Sequence, residues 1–434
     1  MKNASYPRRF WPALIIFSLI GQVAWVVENM YLNVFIYKMF GASASAISTM
    51  VAASAMSATL TTIFIGALSD KIGKRKLFIC GGYILWGLSI ACFALIRTDV
   101  LGALFPSVVS AASLGVSLVI ILDCVMTFFG SSANDAAFNA WLTDATDEAG
   151  RGAAEGVNAM MPLMAILVVF GGFMAFDLSL PGSWTAIYLI IGGAVLVIGL
   201  LGLFLIQETG EKREENAHYF RNIFYGFRPS VMRDNRVLYI TLAAFAVFGI
   251  SIQIFMPYLI LYYNVTLKMD NYVLIMAPAI LIAGAVTAVY GRVYDRAGFQ
   301  KAILPAIFAL CAGYLLLFFF TGTALVFVGS LLMMCGYLCG MAVFGAMIRD
   351  YTPAGKAGMF QGLRIVGQVL IPGIIGPAIG AAVLKNAATI VNDDGTTSFV
   401  PNVNIFLAAL AVVAVLLPIL LAECRILRKE AHHE

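Results

Sequence analysis

Asp135 stands in the stretch NDAAFNAWLTDATDE, residues 134–148. Counted back from Asp144 at about 1.5 Å per residue, it lies roughly 14 Å inside an apolar helix. That is near the midplane of a bilayer, where a charged group is costly and marks function by default. Asn139 follows one turn on and shares its face, and Asn134, Phe138 and Trp141 form the adjoining stripe. A carboxylate, an amide and an indole on one wall suit a polyhydroxylated ligand. The polar groups exchange hydrogen bonds with hydroxyls, and the ring packs on C–H faces. The competing reading is a structural Asp bonded to a neighbouring helix.

Other polar residues recur at helical spacing. Gln22, Trp25, Asn29 and Asn33 form one continuous stripe. Glu28 points about 120° away from Gln22 and Asn33; it either lines a pathway or bonds a neighbouring helix. Gln361, Arg364 and Gln368 share a face. Arg364 either faces a polar cleft, where Asp135 or Glu155 would balance it, or snorkels to the membrane edge. Glu155 and Asn158 make a matching stripe, with Pro162 one turn above. Gln253, Tyr258 and Tyr262 lie on another helix, where the tyrosines read equally as an interfacial belt. Asp123 falls near the outer end of its helix, where hydration is expected.

The elements that must position these groups follow from composition. The chain has 434 residues, 61% hydrophobic and 12% charged, against about 25% charged in soluble domains. Apolar runs long enough to span a bilayer recur at roughly 10–37, 44–67, 77–97, 117–143, 155–176, 184–207, 237–264, 272–292, 302–321, 324–348, 357–384 and 403–424. Twelve spans put both termini on one side. All but four of the 27 Lys and Arg fall on that side, the exceptions being Lys38, Arg97, Lys268 and Lys385. The positive-inside rule makes it the cytoplasm. The first apolar run is too long for a cleavable signal peptide and reads as the first span. Residues 98–116 are expected to form an outer extension or surface helix.

The seven Cys lie in or at the ends of spans and read as packing thiols. The three His, at 218, 432 and 433, all fall in cytoplasmic segments, so no His relay or metal site is expected. No P-loop and no nucleophile–base cluster is present, so neither ATP hydrolysis nor enzyme activity is expected.

Two sequence echoes divide the chain. GALSDKIGKRK at 66–76 matches GRVYDRAGFQK at 291–301, and DATDEAGRGAAEG at 144–156 matches DYTPAGKAGMFQG at 350–362. In the second pair Glu155 meets Gln361 and Asn158 meets Arg364. A duplication of six spans plus six follows: an N-terminal bundle over 1–206, a cytoplasmic linker over 207–236 that lies on the membrane surface, and a C-terminal bundle with a cytoplasmic tail over 237–434.

The repeated G-x-x-x-D-[KR]-x-G loop resembles the signature of the major facilitator superfamily. That resemblance implies an all-α membrane protein, twelve transmembrane helices in two pseudo-symmetric six-helix bundles, with a central site reached by alternating access. In the loop, Gly66 and Gly291 are expected to let helices approach closely. Gly73 and Gly298 are expected to make tight turns. Asp70 and Asp295, with Arg296 and the basic Lys74 and Arg75, are expected to form an inward-face latch.

Within the superfamily, NMYLNVFIYKMFG at 29–41 and NDAAFNAWLTDATDEAGRG at 134–152 resemble the glycoside–pentoside–hexuronide:cation symporters, which include the melibiose carrier. The resemblance implies that Asp135 contacts a sugar and that Trp141 stacks on it. The family's second sugar carboxylate falls at Gln22 here, and its helix-5 arginine falls near Asn158. Its helix-2 cation aspartates fall in SAMSATLTTIFIG, where Thr59, Thr61 and Thr62 supply only neutral oxygens.

The expected function is secondary transport of a small polar solute, a sugar or glycoside first of all, coupled to a proton or sodium ion. The expected binding residues are Gln22, Trp25, Asn29, Asp135, Asn139, Trp141, Arg364 and Gln368, with coupling at Asp135 or Glu28. No resident cofactor is expected. The expected partners are the solute and membrane lipids, not nucleic acid, and the chain is expected to act as a monomer in a plasma or inner membrane. Two rivals keep the fold: an exporter of drugs or lipid-like amphiphiles, and a sensor that binds without translocating.

Overall fold

A computed structural model describes residues 9–106, 110–146, 148–208, 225–353, 357–391 and 397–431; the side chains of Asp70, Glu155 and Gln361 lie outside the described residues, as do the three His. Two units emerge. The first comprises Met1–Ala42 and Ala53–Ile223, the second Ser43–Ala52 and Phe224–Glu434. The helix Ala44–Ile72 thus gives its first turns to the second unit, a division that neither bundle boundary drawn from the sequence contains.

The spanning helices are α1 Phe10–Phe40, α2 Ala44–Ile72, α3 Arg75–Leu95, α4 Ala111–Asp144, α5 Glu148–Phe173 and α6 Pro181–Leu205. The second half has α7 Arg236–Thr266, α8 and α9 within Val273–Phe319, α10 Thr323–Tyr351, α11 Ala357–Leu384 and α12 Asn404–Ala431. Among the described residues, eleven continuous helices are long and apolar enough to cross a membrane. One of them is two spans joined at Gly298, whose φ of 76° breaks the helix, so the count returns to twelve. Helices dominate because lipid offers no partner to an unpaired backbone N–H or C=O.

Their ends have local causes. Gly41, at φ 60°, closes α1 with its N–H on the Tyr37 carbonyl at 3.0 Å, while Ala42 N–H reaches Ile36. Ser110 caps α4 by accepting from the Ser113 amide at 3.2 Å. Pro181 opens α6 at a position where its missing N–H costs nothing.

The expected outer extension at 98–116 divides. Thr98–Leu104 is a short helix, but residues from Ala111 onward are the first turns of α4. The Ser110 cap starts that helix earlier than hydropathy alone indicates. Of the linker, Tyr225–Phe227 forms a 3-10 turn and Pro229–Asp234 a short helix, and 209–224 lie outside the described residues. A small antiparallel hairpin, β1 Thr389–Val391 and β2 Thr397–Phe399, joins α11 to α12 with Ile390 opposite Ser398.

In the first unit α3 and α6 cross at contact distance. A Cβ on Gly87 would sit 2.4 Å from the Leu196 amide nitrogen, and one on Gly192 2.6 Å from that of Ala91. Small residues of this kind let helices pack where lipid supplies no hydrophobic drive. Phe17, Tyr83, Trp86 and Phe138 fill one end of the first unit's interior, and Phe35, Phe93, Trp184 and Tyr188 the other. In the second unit Phe245, Phe248 and Phe344 stack together, and Phe255, Tyr262, Tyr314 and Phe406 make a second cluster. Exposed side chains such as Phe204 and Phe308 are apolar, the surface a bilayer requires.

Candidate solute and coupling site

Among the described residues, four spanning helices contain π turns: Val27–Tyr31 in α1, Ser131–Phe138 in α4, Tyr262–Thr266 in α7 and Val366–Leu370 in α11. These helices carry most of the polar residues singled out by spacing; Glu155 and Asn158, on α5, are the exceptions. Each π turn inserts a residue and swings the rest of the helix by about 100° relative to a plain α-helix.

Asp135 sits inside the α4 π segment and is half-buried. Ser131 Oγ donates to its Oδ2 at 3.1 Å, Asn134 Nδ2 to its Oδ1 at 3.1 Å, and the Trp25 indole of α1 reaches it as well. Asn134 is held in turn by the Tyr83 hydroxyl, which donates to Asn134 Oδ1 at 2.9 Å. Several donors, and no cation among the described residues, make Asp135 an acceptor ready for a further hydroxyl.

On the two stripes, Gln22 and Trp25 are partly open, and Asn29 and Asn139 are exposed. The two asparagines each donate through Nδ2 to the carbonyl one turn earlier, Asn29 to Trp25 and Asn139 to Asp135. The structure therefore brings Trp25 onto Asp135 directly and sets α1 beside α4 in one unit.

Several expected positions move. Trp141 is 2% exposed: its indole donates to the Gln207 carbonyl at 2.9 Å, and its ring stacks on Phe138 and packs against Phe10. It is a packing residue, turned off the Asp135 wall by the π segment before it. Asn33 leaves its stripe for the same reason and is 1% exposed. Asp123 is buried rather than hydrated, and one of its carboxylate oxygens has no partner among the described residues.

Glu28 takes the second of its two readings. Its Oε1 accepts from Ser54 Oγ of α2 and Thr127 Oγ1 of α4, both at 2.8 Å. Tyr258 and Tyr262 are neither belt nor pathway groups. Both are fully buried, Tyr258 donating to the Ala44 carbonyl and Tyr262 to Leu317. Asn158 accepts from Ser18 of α1. In the second unit Arg364 Nε lies 3.4 Å from Gln368 Oε1. Spacing does not single out Ser54, Tyr83, Thr127 or Ser131, since small hydroxyls and a tyrosine carry no signal of their own. Nor does it single out Glu423, fully buried on α12 with Thr241 donating to it.

A family model described as the Major Facilitator Superfamily matches residues 10–377. The chain belongs to the major facilitator superfamily. It is therefore an integral, multi-pass membrane transporter and not an enzyme. Similar solved structures include a D-xylose-proton symporter, 14% identical, covering 96% of this chain and 97% of that one at a TM-score of 0.72. A point mutant of the nucleoside transporter NupG is 14% identical, covering 95% and 99% at 0.70. A bacterial homologue of the human lysosomal transporter Spinster, in an inward-facing and unoccupied conformation, is 15% identical, covering 98% and 99% at 0.67. No curated protein matches by sequence.

The superfamily loop has structure in both halves. Gly73 and Gly298 adopt φ of 66° and 76°, backbone that a side chain disfavours. Gly66 has Ala136 Cβ at 4.0 Å from where its own Cβ would lie, and Gly291 faces open space, so neither marks the close helix approach expected. Arg75 donates through Nε to Asp144 Oδ2 at 3.1 Å and through Nη1 to Ser69 Oγ at 2.7 Å. In the second unit Tyr294, which occupies the repeat position of Ser69, donates to Asp350 Oδ2 at 2.5 Å. The repeated acids Asp144 and Asp350 thus each anchor the loop region of their own half. Lys74, Asp295 and Arg296 are exposed.

Proposed function

We propose that this superfamily member moves a small polar solute, a sugar or glycoside, by alternating access, coupled to a proton or sodium ion. The observation that carries the reading is the half-buried Asp135, supplied with donors by Trp25, Ser131 and Asn134, with Asn139 one turn on and Gln22 and Asn29 on the helix face of Trp25. A carboxylate in that setting accepts hydrogen bonds from paired hydroxyls, and the Trp25 ring offers a face for sugar C–H groups. Arg364 and Gln368, which share a helix face, stay in the reading as solute-binding residues. Coupling is placed on Asp135 or Glu28, the two carboxylates of α1 and α4 with hydrogen-bonded oxygens. The resemblance to glycoside–pentoside–hexuronide carriers supports the cargo class. The D-xylose-proton symporter and the nucleoside transporter share the fold; the assignment of cargo rests on Asp135.

The distribution of Lys and Arg supports a plasma or inner membrane with both termini in the cytoplasm. The chain is read as acting alone, among lipids. The test is a thermal-shift screen of the purified carrier against sugars, glycosides and amphiphiles, with and without sodium, followed by counterflow in liposomes. Stabilisation by a sugar or glycoside together with exchange is expected. Stabilisation by amphiphiles alone, or binding without exchange, overturns the reading.

A further inference from the structure

Among the described side chains, the membrane interior of the first unit holds three carboxyl groups, Glu28, Asp123 and Asp135. Over 10–37, 44–69, 77–96, 111–144, 156–173 and 181–205 the sequence has no Lys, Arg or His. Asp135 has several donors. Glu28 has two, both on Oε1, and Glu28 and Asp123 lie within electrostatic reach of each other. Each is under one-tenth exposed, and Glu28 Oε2 and Asp123 Oδ1 have no partner among the described residues.

The hydrogens around Glu28 can be counted. Ser54 Oγ is 2.8 Å from Glu28 Oε1 and 2.9 Å from Thr127 Oγ1. Thr127 Oγ1 is 2.8 Å from Glu28 Oε1 and 2.8 Å from the Asp123 carbonyl. These four contacts have hydrogen-bond lengths, yet two hydroxyls supply two hydrogens. With Glu28 ionised, two close oxygen pairs are left with no hydrogen between them. One proton on Glu28 supplies a third bond.

A second observation points the same way. Tyr188 is 1% exposed, its hydroxyl is unpartnered among the described residues, and it lines with Glu28 a cavity of about 10 Å³. That volume is at the lower limit for one water and excludes a hydrated ion. A bare ion of sodium's size, with metal–oxygen distances of about 2.4 Å as for calcium, would also spread its ligand oxygens beyond the separations seen here.

We propose that Glu28 and Asp123 form a proton-holding pair inside the first unit, distinct from the solute-facing Asp135, with Ser54, Thr127 and Tyr188 as its hydroxyl lining. The proposal rests on the transport reading for its role: the pair is the coupling station, the ion is a proton, and Asp135 is left to the solute. The titratable groups facing Glu28 are Asp123 and Asp135 from α4 and Tyr188 from α6; Cys124 of α4 also feels the pair. From α2 only the Ser54 hydroxyl faces it, and α3 contributes apolar Ile90. Among the described residues, no cation of these helices neutralises the pair.

Infrared spectroscopy of the full-length purified carrier tests this without any solute. The wild type should show a protonated-carboxyl C=O band at neutral pH, and Asp135→Asn should retain it. Asp123→Asn should shift it and Glu28→Gln should abolish it, each checked for monodispersity. Replacing choline chloride by sodium chloride at fixed ionic strength should leave it unchanged. A wild type without the band, a band lost with Asp135→Asn but kept in Glu28→Gln, or a band removed by sodium overturns the proposal. A carrier that shows the band yet fails the sugar screen keeps the proton pair and loses the cargo reading.

Discussion

Thr127 Oγ1 lies 2.8 Å from Glu28 Oε1, although 99 residues separate them in sequence. The contact ties α4 to α1 at the π turn of α1, and Ser54 brings in α2 through the same carboxylate oxygen. An acid that spacing alone leaves undecided between pathway and packing is thereby built into the interior, while Asp135 stays half-open. The two carboxylates have different surroundings, and the roles proposed for them differ accordingly.

Asp135→Asn should weaken solute binding by roughly 1.5–3 kcal/mol, about ten- to a hundred-and-fifty-fold, the size expected for a hydrogen bond to a charged group. Thermal unfolding and gel filtration should stay near wild type. Calorimetric titration with the best sugar or glycoside from the screen measures the loss; unchanged affinity would remove Asp135 from the site.

Trp141→Phe separates packing from binding. The ring contacts largely survive, but the Gln207 carbonyl loses its donor. A cost of about 1 kcal/mol in thermal stability is expected, with solute affinity unchanged. A large affinity loss at constant stability would return Trp141 to the solute wall.

The Arg75–Asp144 pair, with side chains 12% and 17% exposed, should show a coupling energy of roughly 1 kcal/mol in a double-mutant cycle of Arg75→Ala and Asp144→Ala read by thermal unfolding. Additive losses would mean that the ion pair contributes nothing. In an accessibility assay, Asp70→Asn should shift the balance of inward- and outward-open states; no shift would end the latch reading.

Gly298→Ala and Gly291→Ala make a matched contrast. The first forces a side chain onto φ 76° and should cost about 1–2 kcal/mol. The second adds a methyl to open space and should be near neutral. Equal effects on the melting temperature of the purified protein would defeat the distinction.

The sequence by itself determined the features that depend on local chemistry. Twelve spans come from apolar runs that lipid forces into helices. The duplicated loop and its turns come from Gly73 and Gly298, because a left-handed backbone selects glycine wherever it occurs. Only the tertiary structure decided which faces meet. In a membrane the lipid side and the packed side of a helix are both apolar, so hydropathy does not tell them apart. The π turns then break the 3.6-residue phase on which stripes are drawn. That is why Asn33 and Trp141 turned inward, and why Glu28 found Ser54 and Thr127 on helices that its own sequence neighbourhood never mentions.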